Sequence, residues 1–184
     1  MTTDTLAVIA RRYACRAYQD TPVPADLLRT IAEAGVRAPS AVNRQPWRLV
    51  VVSDKTVMGD IETQGLENLR AADETGYARI QSRGGRLLYG APAMIIVATQ
   101  AVESPFPVAL DAGIVVSHVA LAATALGLDT CVAAFPGQAL QPGSPLAAKV
   151  LPAGFDFAIS VLLGYAATPG GTPHEPDFAK ISYV

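Results

Sequence analysis

Residues 38–47 bring turn-forming, hydrogen-bonding and aromatic side chains together immediately before an apolar strand. Pro39 fixes the chain direction and moves Ala38 out of helical geometry. The side chains that can donate and accept hydrogen bonds from this loop are Ser40, Asn43 and Gln45. Trp47 adds a flat apolar ring with one N–H. Because a structural turn would need only proline and asparagine, the combination favours a site for a planar ligand with polar edges.

A second candidate group is the run Arg12-Tyr13-Ala14-Cys15-Arg16, with Arg11 just before it. Arginines four residues apart, in a segment that leaves a helix, can reach one anion from two directions. Guanidinium groups suit phosphate and also the electron-rich edge of a heterocycle. The alternative for this group, taken alone, is a surface cluster that covers apolar neighbours.

The third group starts at residues 111–113, Asp-Ala-Gly, and continues through a long helix with small residues to Cys131. His118 lies inside this helix, where a single histidine is more often a satisfied core residue than a base. His174 lies in a proline-rich tail. Neither histidine is paired with a nucleophile, and the sequence has no cluster with metal-ligand spacing. Cys15 and Cys131 are too few for a disulfide framework, so we expect both to be buried.

The composition indicates one domain that associates with itself. The chain has 184 residues, of which 51% are hydrophobic and 16% charged, and we predict a single domain over 1–184. Part of so apolar a surface should be covered by a second copy, although a plain Ala- and Val-rich core is the alternative. A net charge of −2 argues against nucleic acid. We see neither an apolar run of the ~18–20 residues that a membrane span needs nor a signal sequence, so we expect a cytoplasmic protein.

The apolar pattern predicts an α+β protein in which buried strands are separated by helices. The predicted strands are 48–53, 93–99, 129–135 and 157–165. The predicted helices are 5–12, 25–36 and 108–126, with a short one before residue 150. The more polar region from about 56 to 90 should be helical, with breaks at Gly65, Gly76 and Gly84-Gly85. If so, one face carries Arg79, Arg83 and Arg86, for which a solvated surface is favoured over an anion site.

With its motifs in this order, the sequence resembles the FMN-dependent nitroreductase family. Members show Ala-Pro-Ser-x-x-Asn-x-Gln-Pro-Trp before the first strand, and residues 38–47 match this pattern fully. Near the start they show Arg-Arg-Ser-x-Arg-x-Phe, where this chain has residues 12–18. The Asp-x-Gly, Leu-Ala-Ala, Gly-Leu-Gly-Thr-Cys and Leu-Gly-Tyr motifs appear as residues 111–113, 121–123, 127–131 and 163–165. The resemblance covers nearly the whole chain.

The resemblance implies a nitroreductase-like fold, with a central mixed, mostly antiparallel sheet flanked by helices. It also implies an intertwined homodimer in which both subunits build each of two FMN sites, with residues 56–90 as a variable, lid-like region. Arg12 would hold the phosphate or ribityl end, Tyr13 and Ala14 would contact FMN through backbone, and Arg16 would approach the N1/O2 edge of the ring. The partner would contribute Pro39, Ser40, Ala41, Asn43 and Gln45. The residues beside the ring near N5 would be Ala133, Ala134 and Phe135.

This chain departs from the family pattern at several positions. Tyr13 and Ala14 replace a usual polar pair, His118 replaces an asparagine, and Val-Ala-Ala at 132–134 replaces Trp-Ile-Gly. Residues 166–179 contain no Lys or Arg, although the family usually places a phosphate-binding cation soon after Leu-Gly-Tyr. Losing one charged hydrogen bond would weaken FMN binding by about 1–3 kcal/mol.

The activity that the resemblance implies is ping-pong reduction. NADH or NADPH reduces FMN and leaves, and a flat acceptor such as a nitroaromatic or a quinone takes its place. One alternative is other flavin chemistry on the same fold: dehalogenation, fragmentation of FMN itself or oxidation of a peptide-derived substrate. The other is a flavin-binding protein with little catalysis, which the missing cation after Tyr165 motivates.

Overall fold

The computed structural model describes residues 4–100, 105–168 and 170–184, without the side chains of 105 and 106. Pro169, in the predicted Pro- and Gly-rich stretch, lies outside the described residues. The helices are α1 (Thr5–Arg11), α2 (Ala25–Gly35), α3 (Lys55–Ala72), α4 (Glu74–Gln81), α5 (Pro105–Ala125) and α6 (Pro145–Val150). The strands are β1 (Trp47–Val52), β2 (Ala93–Thr99), β3 (Asp129–Ala133) and β4 (Asp156–Gly164). All four predicted strands are therefore present, with ends that differ by at most two residues.

The strands form one sheet in the order β1-β2-β4-β3, and every neighbouring pair is antiparallel. The predicted α+β fold with a mostly antiparallel sheet is confirmed. Among the residues that the structure describes, parallel pairing is limited to an isolated bridge between Ala14 and Thr130 of β3. Because β3 is at one edge of the sheet, the segment that carries Ala14 extends this edge.

Both faces of the sheet are covered, which explains why β2 is apolar at every position. Met94 and Ile96 belong to the core cluster shared with α3, whereas Ile95 and Val97 belong to the cluster shared with α2 and α5. All four are fully buried. Side chains alternate across a strand, so a strand covered on both sides has no polar face.

Helix α5 is the central helix of the second face. Its residues Val115 and Val119 are fully buried, and α2 approaches so closely that a Cβ on Gly35 would lie 2.7 Å from Val119. The segment Pro107–Ala125 has a mean hydropathy of 1.7, long and apolar enough by length and composition to cross a membrane. Our expectation that no apolar run reaches that length is thus wrong. Half of the residues in the most apolar part of this segment are buried in the fold, which accounts for the apolar composition of the helix.

The region of α3 and α4 differs from the prediction. Gly65 does not break the helix but lies inside α3. Its missing side chain allows close packing, since a Cβ there would lie 2.8 Å from Leu87. The helices break at Asp73, whose side chain accepts a hydrogen bond from the backbone N–H of Gly76 (2.8 Å). A break is present at Gly84-Gly85 as predicted, because α4 has already ended and both glycines have positive φ (+99° and +69°). The predicted common face of Arg79, Arg83 and Arg86 is wrong, because α4 ends at Gln81.

Candidate functional site

The segment that follows α1 is fixed along one edge of the sheet. Cys15 donates a backbone hydrogen bond to Thr130 (2.8 Å), and Gln19 donates one to Tyr165 (2.9 Å). The hydroxyl of Tyr18 reaches the carbonyl of Leu162 at 3.4 Å. The segment therefore passes from β3 to the end of β4 with its backbone held by the sheet.

The arginine side chains of this segment lie beside β3. Arg12 is half-buried and Arg16 is exposed. Burial raises the pKa of the Cys131 thiol, while the positive charges of Arg16 and Arg12 oppose that rise. Both guanidinium groups thus lie close enough to Cys131 of β3 to oppose the effect of burial on its thiol.

A cleft of about 260 Å³ lies where this segment begins. Its walls include Arg11, Arg12, Tyr13, Asp129, Gly170 and Gly171. Arg11 donates to the carbonyl of Thr124 (2.8 Å), so one of the two arginines ties α1 to the end of α5. The Asp129 carboxylate accepts the backbone N–H of Ala166 (3.0 Å). Arg12 is left as the cation that can turn toward a ligand in the cleft.

The loop at 39–45 has a different architecture. It contains a 3₁₀ turn at Ala41–Asn43, and its backbone is left-handed at Val42 (φ 47°), Asn43 (φ 56°) and Gln45 (φ 47°). Residues other than glycine rarely adopt this conformation, and it concentrates at functional sites. The backbone N–H of Gln45 donates to Ser40 Oγ, and its side-chain amide donates to Asn43 Oδ1, both at 2.9 Å.

The loop is anchored to α5 by a buried carboxylate. Asp111, which is 5% exposed, accepts the backbone N–H of Ala41 at 3.0 Å. Pro39, Asn43 and Gln45 remain exposed. The anchored loop thus presents its polar groups outward, away from the chain that supports it.

The role expected for Trp47 is wrong. Its side chain is 4% exposed and belongs to the core cluster that contains Val97 and Val119. Trp47 is also the first residue of β1, where it pairs with Thr99. The indole therefore anchors the loop in the core and is not available to a ligand.

The residues expected near the flavin N5 lie at the far end of β3. Ala133 is buried, and its carbonyl accepts a hydrogen bond from Ser160 Oγ (2.8 Å). Ala134 is exposed, and Phe135 begins a 3₁₀ turn (Phe135–Gln138) where we expected the strand to continue. Ala134 follows Thr130 by four positions, about 13 Å along a strand. The arginine segment and this group thus share one edge of the sheet.

The structure does not bring the loop at 39–45 to that edge within one chain. The loop contacts α5 at Asp111, whereas the arginine segment contacts it at Thr124. Thirteen positions separate these two residues of the helix, which corresponds to about 20 Å. The predicted site residues therefore form two groups, one near each end of α5. We call them the arginine half-site (Arg12, Tyr13, Ala14, Arg16, Ala133, Ala134, Phe135) and the loop half-site (Pro39, Ser40, Ala41, Asn43, Gln45).

The outer face of α5 between the two half-sites is apolar and exposed. Leu110 and Ile114 are 55% and 36% exposed, on the side opposite the buried Val115 and Val119. His118 belongs to this outer face, half-buried, with its ring Nδ1 3.0 Å from the carbonyl of Ile114. It is not the core histidine we expected.

Sequence reasoning missed the contacts that hold these groups in place. The Asp-x-Gly motif marked Asp111, but nothing in the sequence identified Ala41 as its partner. Glu62 accepts the backbone N–H groups of Leu87 (2.6 Å) and Leu88 (2.9 Å), which fixes the end of the region of α3 and α4. No local pattern signals a pairing across twenty-five residues.

The arrangement of these motifs on this fold corresponds to a known protein family. The model of the Nitroreductase family matches residues 9–147, which include both half-sites. The chain belongs to the nitroreductase family.

Individual relatives agree with this assignment. A nitroreductase with bound FMN from Desulfitobacterium hafniense has 42% sequence identity and a TM-score of 0.90, with all of both chains covered. A BluB-like flavoprotein from Clostridium difficile shares the fold at a TM-score of 0.78 and 17% identity, with 99% of each chain covered. An NADH dehydrogenase of Thermus thermophilus is 53% identical over 51 residues, which are 28% of this chain and 25% of the relative. This nitroreductase-family chain thus spans about a quarter of the length of that curated relative.

Proposed function

We propose that this chain is an FMN-dependent oxidoreductase that uses NADH or NADPH to reduce flat acceptors such as nitroaromatics or quinones. The observation that carries the proposal is the arginine half-site: a backbone fixed to the sheet edge, with guanidinium groups beside the edge strand β3. The full-length similarity to a nitroreductase with bound FMN supports the choice of cofactor.

We propose one orientation for FMN in the arginine half-site. Arg12, in the cleft, would hold the phosphate or ribityl end, and the backbone of Tyr13 and Ala14 would line the middle. Arg16 would lie at the N1/O2 edge, where a cation stabilises the anionic reduced ring. Ala133, Ala134 and Phe135 would lie beside N5. When bound, FMN supplies the hydride and electron transfer, so the protein's part is to orient it and to tune its potential.

We propose that the loop half-site acts on the FMN of a second copy of the chain. The distance of about 20 Å along α5 keeps a loop from closing over its own arginine half-site. The exposed apolar face of α5 between the half-sites offers a surface for a symmetric dimer. In that dimer Pro39, Ser40, Ala41, Asn43 and Gln45 would line the partner's site.

We propose that the nicotinamide cofactor and the acceptor use the same open face of the site in turn, which makes the kinetics ping-pong. The region 56–90 would cover this face. Asn68 supports that role, because it donates to the carbonyl of Gln138 (2.7 Å), at the end of the turn that follows Ala134. The protein would be a single cytoplasmic domain over 1–184, with no nucleic-acid or membrane partner.

The experiment is a spectrum followed by steady-state kinetics. Purified protein should be yellow, absorb near ~450 nm and be bleached by NADH or NADPH. Rates measured against a nitroaromatic, a quinone and oxygen should give parallel double-reciprocal lines with the preferred acceptor. Intersecting lines would contradict the ping-pong order. Protein that holds FMN but is not bleached by either nucleotide would be a flavin-binding protein instead.

A further inference from the structure

The two cysteines of the chain lie far apart in the sequence but meet at one edge of the sheet. The sequence contains only Cys15 and Cys131, and both thiols are free and buried. Ala14 forms a parallel bridge with Thr130, and the backbone N–H of Cys15 donates to the carbonyl of Thr130 (2.8 Å). Each cysteine follows one member of this bridge by one position, so the bridge sets the two cysteines side by side.

The two side chains point into the same part of the core. Cys15 and Cys131 belong to the core cluster that also contains Met94 and Ile96, and they are 3% and 4% exposed. Segments paired in a sheet lie about 4.8 Å apart. A disulfide joins residues whose Cα atoms are about 4.4–6.8 Å apart. The backbone therefore holds the two cysteines within the span of a disulfide.

The surroundings of the two thiols agree with this placement. Burial raises the pKa of the Cys131 thiol, and Cys15 lies close enough to add to that rise. Burial also raises the pKa of the Tyr18 hydroxyl, and both cysteines add to it, so the two thiols lie near the same phenol. Cys15 Sγ donates a weak hydrogen bond to the carbonyl of Ala17 (3.2 Å). Cys131 Sγ donates one to the carbonyl of Val132 (3.7 Å), so each thiol is bonded within its own segment.

We propose that Cys15 and Cys131 form a reversible disulfide when the protein meets hydrogen peroxide, and that this bond ties the segment of Arg12 and Arg16 to β3. One thiolate attacks the O–O bond of the peroxide, which yields a sulfenic acid and, after protonation, one water. The second thiol attacks the sulfenic sulfur, and the S–S bond replaces the S–O bond as a second water leaves. The two sulfurs thus lose two electrons, the peroxide gains them, and the thiol protons end on the waters.

The bond would stabilise the fold, because it closes a loop of more than a hundred residues. A disulfide restricts the unfolded chain, and its typical contribution corresponds to a rise in Tm of about 5–10 °C for a domain of this size. Because the thiolate is the reactive form and burial raises the pKa of Cys131, the oxidation should be slow. Transient disulfides of this kind act in redox sensing where the compartment keeps thiols reduced.

The test counts thiols and locates the bond. The full chain is treated with hydrogen peroxide, the peroxide is removed with catalase, and free thiols are counted after unfolding in guanidinium chloride. Non-reducing gels and peptide mass mapping distinguish a bond within one chain from a bond between chains. C131A/V132C is the matched control for register. It keeps two thiols but moves one to the opposite face of β3, at a position that is 46% exposed.

We expect the wild type to lose both thiols together, to lose the mass of two hydrogen atoms and to yield one joined pair of peptides from a single chain. Its Tm should rise by about 5–10 °C and return to the starting value after treatment with dithiothreitol. C15A and C131A, which keep one thiol each, should show no such rise. C131A/V132C should form no bond within the chain.

Several results would overturn the inference. One is a folded wild type that keeps both thiols at a peroxide concentration that oxidises them in the unfolded chain. Others are a sulfinic acid on either cysteine without joined peptides, a disulfide between two chains, or an equally fast bond within C131A/V132C. If that variant does not fold, the joined peptides and the Tm of the wild type decide. The inference does not depend on FMN, so its failure leaves the proposed function unchanged.

Discussion

The two half-sites differ in how the chain holds them. The arginine half-site is bonded to the sheet edge by backbone hydrogen bonds, such as that from Cys15 to Thr130. The loop half-site instead departs from the core after α2, adopts left-handed backbone at three residues other than glycine, and depends on the carboxylate of Asp111. The first is a rigid platform for charge, whereas the second is a strained loop whose polar groups face outward.

This difference indicates that the two half-sites have separate roles. A platform fixed to a sheet can tune a bound ring, because its charges stay in place when the ring is reduced. A loop presented outward suits contact with another subunit. Substitutions in the two half-sites should therefore change different measured properties of the protein.

The largest effect should come from separating the half-sites. Charged residues on the outer face of α5, in L110E/I114E, would bury two unpaired charges at the proposed interface. We expect the dimer Kd to rise about a thousandfold or more, and FMN binding to fail with it, as measured by sedimentation equilibrium and fluorescence titration. V36E, which alters a 50% exposed residue at the end of α2, is the control and should stay dimeric. A monomer that binds FMN normally would contradict the account.

The next largest effect should come from removing a positive charge from the arginine half-site. R12Q should raise the Kd for FMN about ten- to a hundredfold, because one charged hydrogen bond is lost, and should leave the dimer intact. R29Q removes an exposed arginine from α2 and should change neither property. Equal losses for FMN and riboflavin would show that Arg12 does not contact the phosphate end.

A smaller effect is expected for the anchor of the loop. D111A leaves the N–H of Ala41 without its acceptor and should raise the Kd for FMN about tenfold. D111N retains a neutral acceptor and should fall between D111A and the wild type. The ratio of FMN to riboflavin affinity should not change, which distinguishes this variant from R12Q. A selective loss of FMN in D111A would contradict the separation of roles.

The smallest effect should lie outside both half-sites. Hydrogen bonds from the backbone N–H groups of Val57 and Thr56 hold the pKa of Asp54 below its usual value. A lowered folded-state pKa contributes stability above the unfolded pKa, and this contribution is lost as the pH falls through the folded value. D54A should therefore lower Tm slightly at neutral pH and less at acid pH, with FMN affinity unchanged. D20A, which removes only an exposed ion pair to Lys55, should change Tm less.

Much of the fold could be predicted from the sequence because its signals are local. Runs such as 93–99 are apolar at every position, and Gly127, at φ +82°, ends α5 as expected. The misreadings arose where tertiary packing decided the outcome. Gly65 breaks a helix in isolation, but here it fits against Leu87. The flat ring and N–H of Trp47 favour a ligand site by residue type, yet its side chain is buried in the core.

The candidate site was predictable in its residue types but not in its connections. The motifs at 12–16 and 38–47 marked two groups, and spacing along the chain gave no distance between them. That distance follows from α5, along which Asp111 and Thr124 lie thirteen positions apart. The contact between Tyr13 and Gly171 joins residues from opposite ends of the chain, so no local pattern could reveal it.

The central claim, that one flavin is held by half-sites from two subunits, is tested most directly by complementation. R12Q/R16Q damages the arginine half-site and N43A/D111A damages the loop half-site, so each homodimer should bind FMN poorly. The two chains are co-expressed with different affinity tags, and purification on both tags isolates heterodimers. These should recover about one FMN per dimer at wild-type affinity, since one of their two sites has both halves intact. Heterodimers that bind FMN no better than either parent would contradict the claim.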